Sequence, residues 1–177
     1  MGAATGISEA PADPVARALA SDLLFQEADA LDSQEWTGWL ALYREDARFW
    51  MPAWLDEYRN TSNPDTEVSL IYHEMRWELE ERVHRLGSRK SVTTLPLPRT
   101  LHMIGGLRVT AHSENRLDVR SHATVHVYDP RTFDHHVAAV RYSHSFARED
   151  AGPWLIASKT IILINDRMPS VVDFYTV

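Results

Sequence analysis

The stretch Arg116–Tyr128 constrains the fold most strongly, because its apolar and polar residues alternate along almost its whole length. Side chains at odd positions such as Leu117, Val119 and Val125 are apolar, and most of those between them, such as Arg120 and His122, are polar or charged. A period of two is typical of a half-buried β-strand, in which successive side chains point to opposite faces of the sheet. The pattern predicts a long antiparallel strand with one face against a core.

Three more runs around this strand predict a sheet of long, mostly antiparallel strands. Turn residues separate the runs: His112-Ser113-Glu114-Asn115, Asp129-Pro130-Arg131-Thr132 and Glu149-Asp150-Ala151-Gly152-Pro153. Gly105-Gly106 falls inside the first run, where a β-bulge is the simplest interpretation. Strands this long twist strongly, and one face of their sheet needs a cover. The runs are Leu101–Ala111, Arg116–Tyr128, Phe133–Arg148 and Trp154–Asn165.

The first half of the chain supplies helices for that cover. We predict a helix from Pro14 to about Leu31 and a second one that Asp32 caps, with Glu35 completing a capping box. Trp36, Trp39, Leu40 and Tyr43 then recur at three- and four-residue spacing, which favours an aromatic helix face packed in the core over a ligand-binding face. One short strand, stopped by a proline, is predicted over residues 47–52, and residues 68–72 form a short apolar run.

A third helix is predicted over Glu74–Leu86, with Glu78–Arg82 and Glu81–Arg85 ion pairs on its wet side. The order of elements, helices first and a long meander last, indicates an α+β fold with N-terminal helices packed on a long, strongly twisted, mainly antiparallel sheet. The expected organisation is a loose tail over residues 1–13 followed by a single domain over residues 14–177.

Composition excludes several classes of function. The chain has 177 residues, a formal net charge of -7 and no cysteine. The negative charge argues against a nucleic-acid partner, and the missing cysteines rule out disulfides, iron–sulfur ligation and thiol catalysis by this chain. We find no apolar run long enough for a membrane span and no secretory signal, so we expect a cytoplasmic protein without a membrane partner.

Nine histidines suggest metal binding, but their spacing argues against it. His122 and His126 lie four residues apart, which on a strand separates them by ~13 Å, too far to share a metal ion. Across the predicted hairpin His126 and His135 oppose each other at ~5 Å, a pair more typical of a solvated or interface position than of a functional metal site. His84 is expected at the surface, beside Glu80.

One acid–base arrangement remains possible at this stage. A cone of helices and sheet can enclose an Asp/His pair, and Asp46 with His102 or His144 could form one, as in a stand-alone isomerase or dehydratase. The alternative is that Asp46 caps a turn while the histidines serve packing or an interface. We favour this alternative, and we expect no catalytic, cofactor-binding or metal-ligating residue in this chain.

Several blocks of sequence together resemble the small (β) subunit of aromatic-ring-hydroxylating dioxygenases. They appear in the family's order and span the chain from Phe25 onward, whereas Gly105-Gly106 departs from the more polar residues usual there. The section Ser69–Thr100 is most similar to the benzoate, toluate and anthranilate type. The blocks are Phe25–Asp32 with Trp36–Pro52, Leu79–Leu86, Pro98–Ile104, and Lys159–Asp166 with Tyr175–Val177.

The resemblance implies a cone-shaped cystatin/NTF2-like fold and a structural role. It implies self-association as a trimer and assembly with a catalytic α subunit into an α3β3 hexamer. That α subunit would carry a Rieske [2Fe–2S] cluster and a mononuclear Fe(II), and a separate reductase would supply electrons from NAD(P)H. The expected reaction of the whole complex is the cis-dihydroxylation of an aromatic, carboxylated compound during its catabolism.

Overall fold

The computed structural model describes residues 13–87 and 96–177, which form three helices and one six-stranded sheet. The α+β prediction is confirmed. In chain order the elements are α1 (Pro14–Asp32), α2 (Trp36–Ala41), β1 (Tyr43–Pro52), β2 (Ser69–His73), α3 (Arg76–Gly87), β3 (Arg99–His112), β4 (Arg116–Tyr128), β5 (His135–Ala147) and β6 (Leu155–Leu163).

The sheet has the strand order β2-β1-β6-β5-β4-β3, so the predicted meander of four long strands forms its larger part. Strand β4 has the predicted bounds, and it pairs with β5 along its whole length, from Arg116 opposite Ala147 to Tyr128 opposite His135. Strand β1 completes the sheet by pairing with β6 in the parallel direction. This pairing brings a strand from the first third of the chain beside a strand from its last third.

One face of the sheet carries the core and is covered by the helices, with α1 lying across β3. Pro14 occupies the first turn of α1, as predicted, and the Asp13 carboxylate accepts a hydrogen bond from the Val15 amide and so caps the helix. On β4 the side chains at odd positions are buried, and those between them are exposed or partly so. The core face predicted from the alternation is therefore correct.

The second helix differs from the prediction. The Asp32 side chain does not cap it, and Glu35 at the N-cap position makes no side-chain hydrogen bond to the helix. Helix α2 ends at Ala41, and Tyr43 already belongs to strand β1. The spacing of Trp39 and Tyr43 fits either assignment, because both residues are buried in the core. The predicted packing role of the aromatic residues is confirmed.

The ion pair predicted between Glu78 and Arg82 on α3 is wrong. Arg82 pairs with Asp173 near the end of the chain, and Glu78 accepts hydrogen bonds from the amides at the start of its own helix. An i,i+4 pair does form between Arg76 and Glu80, at 2.9 Å. Most of the predicted crossing over residues 88–99, and residues 1–12 of the predicted tail, lie outside the described part of the chain.

The bulge predicted at Gly105-Gly106 is confirmed by an irregular register between Gly105 and Arg108. Gly106 has a φ of 61°, in the left-handed region that glycine adopts without a steric cost. A Cβ atom at this position would lie 2.6 Å from His122 Nδ1 on the neighbouring strand. Both the backbone conformation and the close approach of His122 therefore require glycine at residue 106.

The hairpin between β4 and β5 has a longer turn than predicted, because β5 begins at His135 and Phe133 has a positive φ of 64°. His135 consequently lies opposite Tyr128, and His126 lies opposite Val137. The predicted direct opposition of the two histidines is wrong by two residues. They remain diagonal neighbours on the same exposed face.

Candidate functional site

The deepest polar cluster of the described chain is centred on Glu27 of α1. Its carboxylate accepts hydrogen bonds from Lys159 Nζ at 2.9 Å, Tyr43 Oη at 2.5 Å and His144 Nε2 at 3.0 Å. All four residues are buried, and they come from α1, β1, β5 and β6. Buried polar groups are costly unless they are paired, and here every oxygen of the carboxylate has a donor. The cluster ties the first helix to the far side of the sheet.

The electrostatics of this cluster fix its protonation. Burial alone would raise the pKa of Glu27, but the Lys159 ammonium and the hydrogen bonds from His144 and Tyr43 outweigh it, and the pKa lies well below its usual value. Burial lowers the pKa of His144 despite the nearby carboxylate, so its imidazole is neutral at pH 7. An ionised carboxylate only accepts, so His144 Nε2 carries the proton. The cluster thus holds one negative and one positive charge.

The second buried carboxylate–histidine pair joins Asp32 to strand β3. Asp32 accepts hydrogen bonds from the Thr100 hydroxyl at 2.8 Å, from the His102 amide at 2.8 Å and from His102 Nδ1 at 2.6 Å. Burial would raise the pKa of Asp32, but these hydrogen bonds and the charge on His102 lower it. These contacts explain why Asp32 does not cap α2. Among the described residues, His102 Nε2 has no hydrogen-bond partner.

Asp46, the acid predicted to pair with one of these histidines, lies elsewhere. It is on strand β1 with 61% of its side chain exposed, and it binds Arg44. The hydrogen bonds from Arg44 lower the pKa of Asp46 below its usual value. His102 and His144 are both buried, and each has a different carboxylate as its partner. The structure therefore does not bring the predicted acid and either base together.

Aromatic side chains fill the space between the helices and the sheet. The Phe174 ring stacks on Trp39 with centroids 4.5 Å apart, and Trp36 contacts both Phe174 and Tyr175. Asp173 secures this segment, because Arg82 of α3 donates two hydrogen bonds to its carboxylate. Residues 173–177 are all buried. Phe174 and Tyr175 in this segment pack against the aromatic rings of α2.

The remaining histidines belong to neither cluster, and His73 on β2 and His136 on β5 are partly buried. His84 is exposed, as predicted, and His122 and His135 are exposed. His126 and His135 meet through Nδ1 and Nε2, 3.1 Å apart. Within residues 13–87 and 96–177 no group of three or more His, Asp or Glu side chains is arranged to hold a metal ion. No helix in the same ranges is long and apolar enough to cross a membrane.

Two of the important polar residues, Glu27 and Lys159, were missed in the sequence although a signal exists. Glu27 lies three residues after Leu24 and four before Leu31, and so falls on the buried stripe of α1. Lys159 occupies a buried position of β6 between Ile156 and Ile161. A charged residue in an apolar stripe indicates a buried partner, because an unpaired charge there is too costly.

Comparisons with known proteins agree on one family. The family described as "Ring hydroxylating beta subunit" matches residues 26–170. The chain is 36% identical over 155 residues to the β subunit of benzoate 1,2-dioxygenase from Acinetobacter baylyi, a match covering 88% of this chain and 90% of the relative. It is 35% identical to the β subunit of toluate 1,2-dioxygenase from Pseudomonas putida, covering 88% and 94%.

Solved structures support the same assignment. The crystal structure of the benzoate 1,2-dioxygenase β subunit from Burkholderia mallei has a TM-score of 0.74 and 29% identity, covering 90% of this chain and 96% of that one. A hexachlorocyclohexane dehydrochlorinase, at 13% identity and a TM-score of 0.60, shares the fold alone. The resemblance found in the sequence is confirmed, and the chain belongs to the family of small (β) subunits of aromatic-ring-hydroxylating dioxygenases.

Proposed function

We propose that this chain is a structural, non-catalytic subunit that holds together the terminal oxygenase of a ring-hydroxylating dioxygenase. In this proposal a larger α subunit carries the Rieske [2Fe–2S] cluster and the mononuclear Fe(II), in an α3β3 hexamer located in the cytoplasm. The complex would cis-dihydroxylate an aromatic, carboxylated compound, as the names of the benzoate and toluate relatives suggest. Electrons would come from NAD(P)H through a separate reductase.

The filling of the interior is the observation that carries the structural role. Phe174 stacks on Trp39 in the space between helices and sheet, and the Arg82–Asp173 ion pair holds its segment in place. The most deeply buried histidine, His144, already donates to Glu27. A Rieske centre uses two Cys and two His, and this sequence contains no cysteine. The residues of this chain are thus suited to support rather than to oxygen activation.

The outer face of the sheet supports the proposed self-association. Leu101, Met103 and Ile164 are 55%, 56% and 44% exposed, and Met103 and Ile164 line the same shallow cleft across the strands. Large apolar side chains grouped on an exposed face are typical of subunit interfaces. We propose that the cleft around Met103 and Ile164 contacts another copy of the chain in the trimer.

Co-expression with the large subunit tests the proposal directly. The chain, co-expressed with an affinity-tagged α subunit, should co-purify in equal molar amounts, and iron should be found only when the α subunit is present. Purified alone, it should be colourless and trimeric by light scattering. Met103→Glu should weaken the trimer, whereas Val15→Glu, a change at an exposed residue of α1, should leave it intact. Stoichiometric redox iron in the isolated chain, or a monomer that ignores the α subunit, would contradict the proposal.

A stand-alone acid–base enzyme is the second candidate, and one observation favours it. His102 is held through Nδ1 by Asp32, and its Nε2 has no partner among the described residues. A histidine oriented in this way by a carboxylate has the geometry of a general base. If the isolated chain isomerises or dehydrates a small substrate, His102→Gln should abolish turnover while Asp46→Asn should not. Absence of turnover by the isolated chain, together with co-purification, favours the structural role.

A further inference from the structure

The pair formed by His126 on β4 and His135 on β5 has a geometry that the structural role does not explain. Nδ1 of His126 and Nε2 of His135 are 3.1 Å apart, the rings are parallel within 8°, and their centroids are 5.2 Å apart. Parallel rings with such close nitrogens and such distant centroids meet edge to edge rather than face to face. The two nitrogens therefore share one hydrogen, which one ring donates and the other accepts.

The separation of the two nitrogens also matches the bite of a chelate. Zn²⁺ binds imidazole nitrogen at ~2.0–2.1 Å, so two ligands at angles between a right angle and the tetrahedral angle lie roughly 2.9–3.4 Å apart. The observed 3.1 Å falls within that range. A metal ion in place of the shared hydrogen needs both lone pairs to converge. The donor ring would move its proton to its other nitrogen.

The surroundings of the two rings allow a metal ion to replace the shared hydrogen. Both side chains project from the outer face of the sheet, and their contact is open to solvent. The diagonal placement across the β4–β5 pair is fixed by backbone pairing, with His126 opposite Val137 and His135 opposite Tyr128. Two ligands held by neighbouring strands lose little freedom on binding. For a metal–nitrogen distance of ~2.05 Å each ring must turn by roughly 40°, because the two nitrogens point at each other when they share the hydrogen.

We propose that His126 and His135 form a two-histidine site for a divalent transition-metal ion of the Zn²⁺, Ni²⁺ or Cu²⁺ class, with water in the open coordination positions. Imidazole ligands suit these metals, whereas the lack of a carboxylate in the pair disfavours Mg²⁺ and Ca²⁺. Each chain carries one such site. It clamps the turn end of the β4–β5 hairpin, and it needs unprotonated imidazoles.

Calorimetric titration of the purified chain with ZnCl₂ or NiCl₂ at pH 7.5 tests the site. We expect saturable uptake of one ion per chain. The affinity should fall at least tenfold in His126→Gln and in His135→Gln, because each variant loses one of two ligands, and should be lost at pH 5. MgCl₂ should give no saturable binding.

His122→Gln is the matched control, because His122 is exposed on the same strand and has no histidine beside it in this register. Its affinity should stay within twofold of the parent chain. The proposal is overturned if no saturable site is found, if either His126→Gln or His135→Gln binds as the parent does, or if His122→Gln loses as much affinity. Circular dichroism of each variant confirms that the exposed substitutions leave the fold intact.

Discussion

Glu27 and Lys159, 132 residues apart in the sequence, form an ion pair of 2.9 Å with both side chains fully buried. Removing one partner of a buried pair leaves an uncompensated charge, which costs far more than the pair itself contributes. The pair joins α1 to β6, and so fixes how the N-terminal helix lies on the sheet. Its loss should be visible in the stability of the whole chain.

Lys159→Met should lower the free energy of unfolding by about 3–5 kcal/mol, because Glu27 would remain buried without a cation. The double variant Glu27→Gln with Lys159→Met should recover a large part of this loss, since no charge is then left unpaired. Urea unfolding followed by tryptophan fluorescence gives both values. Arg120→Met, at an exposed position of β4, should change the free energy by less than about 0.5 kcal/mol. Equal loss in the single and double variants would contradict the pairing.

Stability should depend on pH through His144. Its pKa is lowered in the folded chain by burial, so below pH 6.5 the unfolded chain takes up a proton that the folded chain does not. The contribution of His144 to the free energy of unfolding should therefore be fully present above pH 6.5, and it should decrease as the pH drops below that value. Glu27, whose folded pKa is also lowered despite its burial, adds a further loss below pH 4.5.

His144→Gln separates the two contributions. This variant should flatten the stability curve between pH 6.5 and 5 by up to ~1.4 kcal/mol per pH unit, the value for one proton. Urea unfolding at several pH values gives the slope. His84→Gln, an exposed change on α3, should leave the slope unchanged. An unaltered slope in His144→Gln would mean that its imidazole titrates normally.

Phe174→Ala should destabilise the chain by about 3–5 kcal/mol, because it empties the space against Trp39 and leaves a cavity. Thermal unfolding by calorimetry measures the loss. Phe133→Ala is the control, since Phe133 is 76% exposed in the hairpin turn and its loss should cost less than about 0.5 kcal/mol. If the two variants unfold alike, the proposed filling of the interior by residues 173–177 does not support the core.

Gly106→Ala should cost about 1–3 kcal/mol, because alanine is strained at a φ of 61° and its Cβ would meet His122. Gly105→Ala is a control one residue away, since no atom lies within 4 Å of the added Cβ there. It should be neutral or slightly stabilising. Adding His122→Ala to Gly106→Ala should restore only the steric part. Chemical unfolding of the three variants and the parent chain gives the comparison.

The sequence was most informative where local patterns decide structure. The alternation of Arg116–Tyr128 gave the bounds of β4, and the glycine pair gave the bulge, because both depend only on neighbouring residues. The beginning of β1 at Tyr43 could not be found, since a buried aromatic residue fits a helix or a strand equally. The two-residue error at His135 arose because the length of the turn fixes the register.

The acid–histidine pairs show a second limit. Asp46 was chosen from its position after an aromatic stripe, whereas Asp32 and Glu27 are the carboxylates that meet His102 and His144. Each true partner is 70 or more residues away along the chain, and one sequence contains no information on distances of that kind. Only the folded arrangement of α1 on the sheet reveals these partners.

Strand β3 lies at the border of the sheet and is 14 residues long, so its outer side offers a row of backbone groups to any passing strand. Its register is irregular at two places, between Gly105 and Arg108 and between Val109 and Ala111. Each irregularity bends the strand and interrupts the row of backbone groups. A strand of another molecule therefore cannot pair with β3 along its full length. We therefore expect the glycine bulge to limit edge-to-edge pairing of β3 between chains.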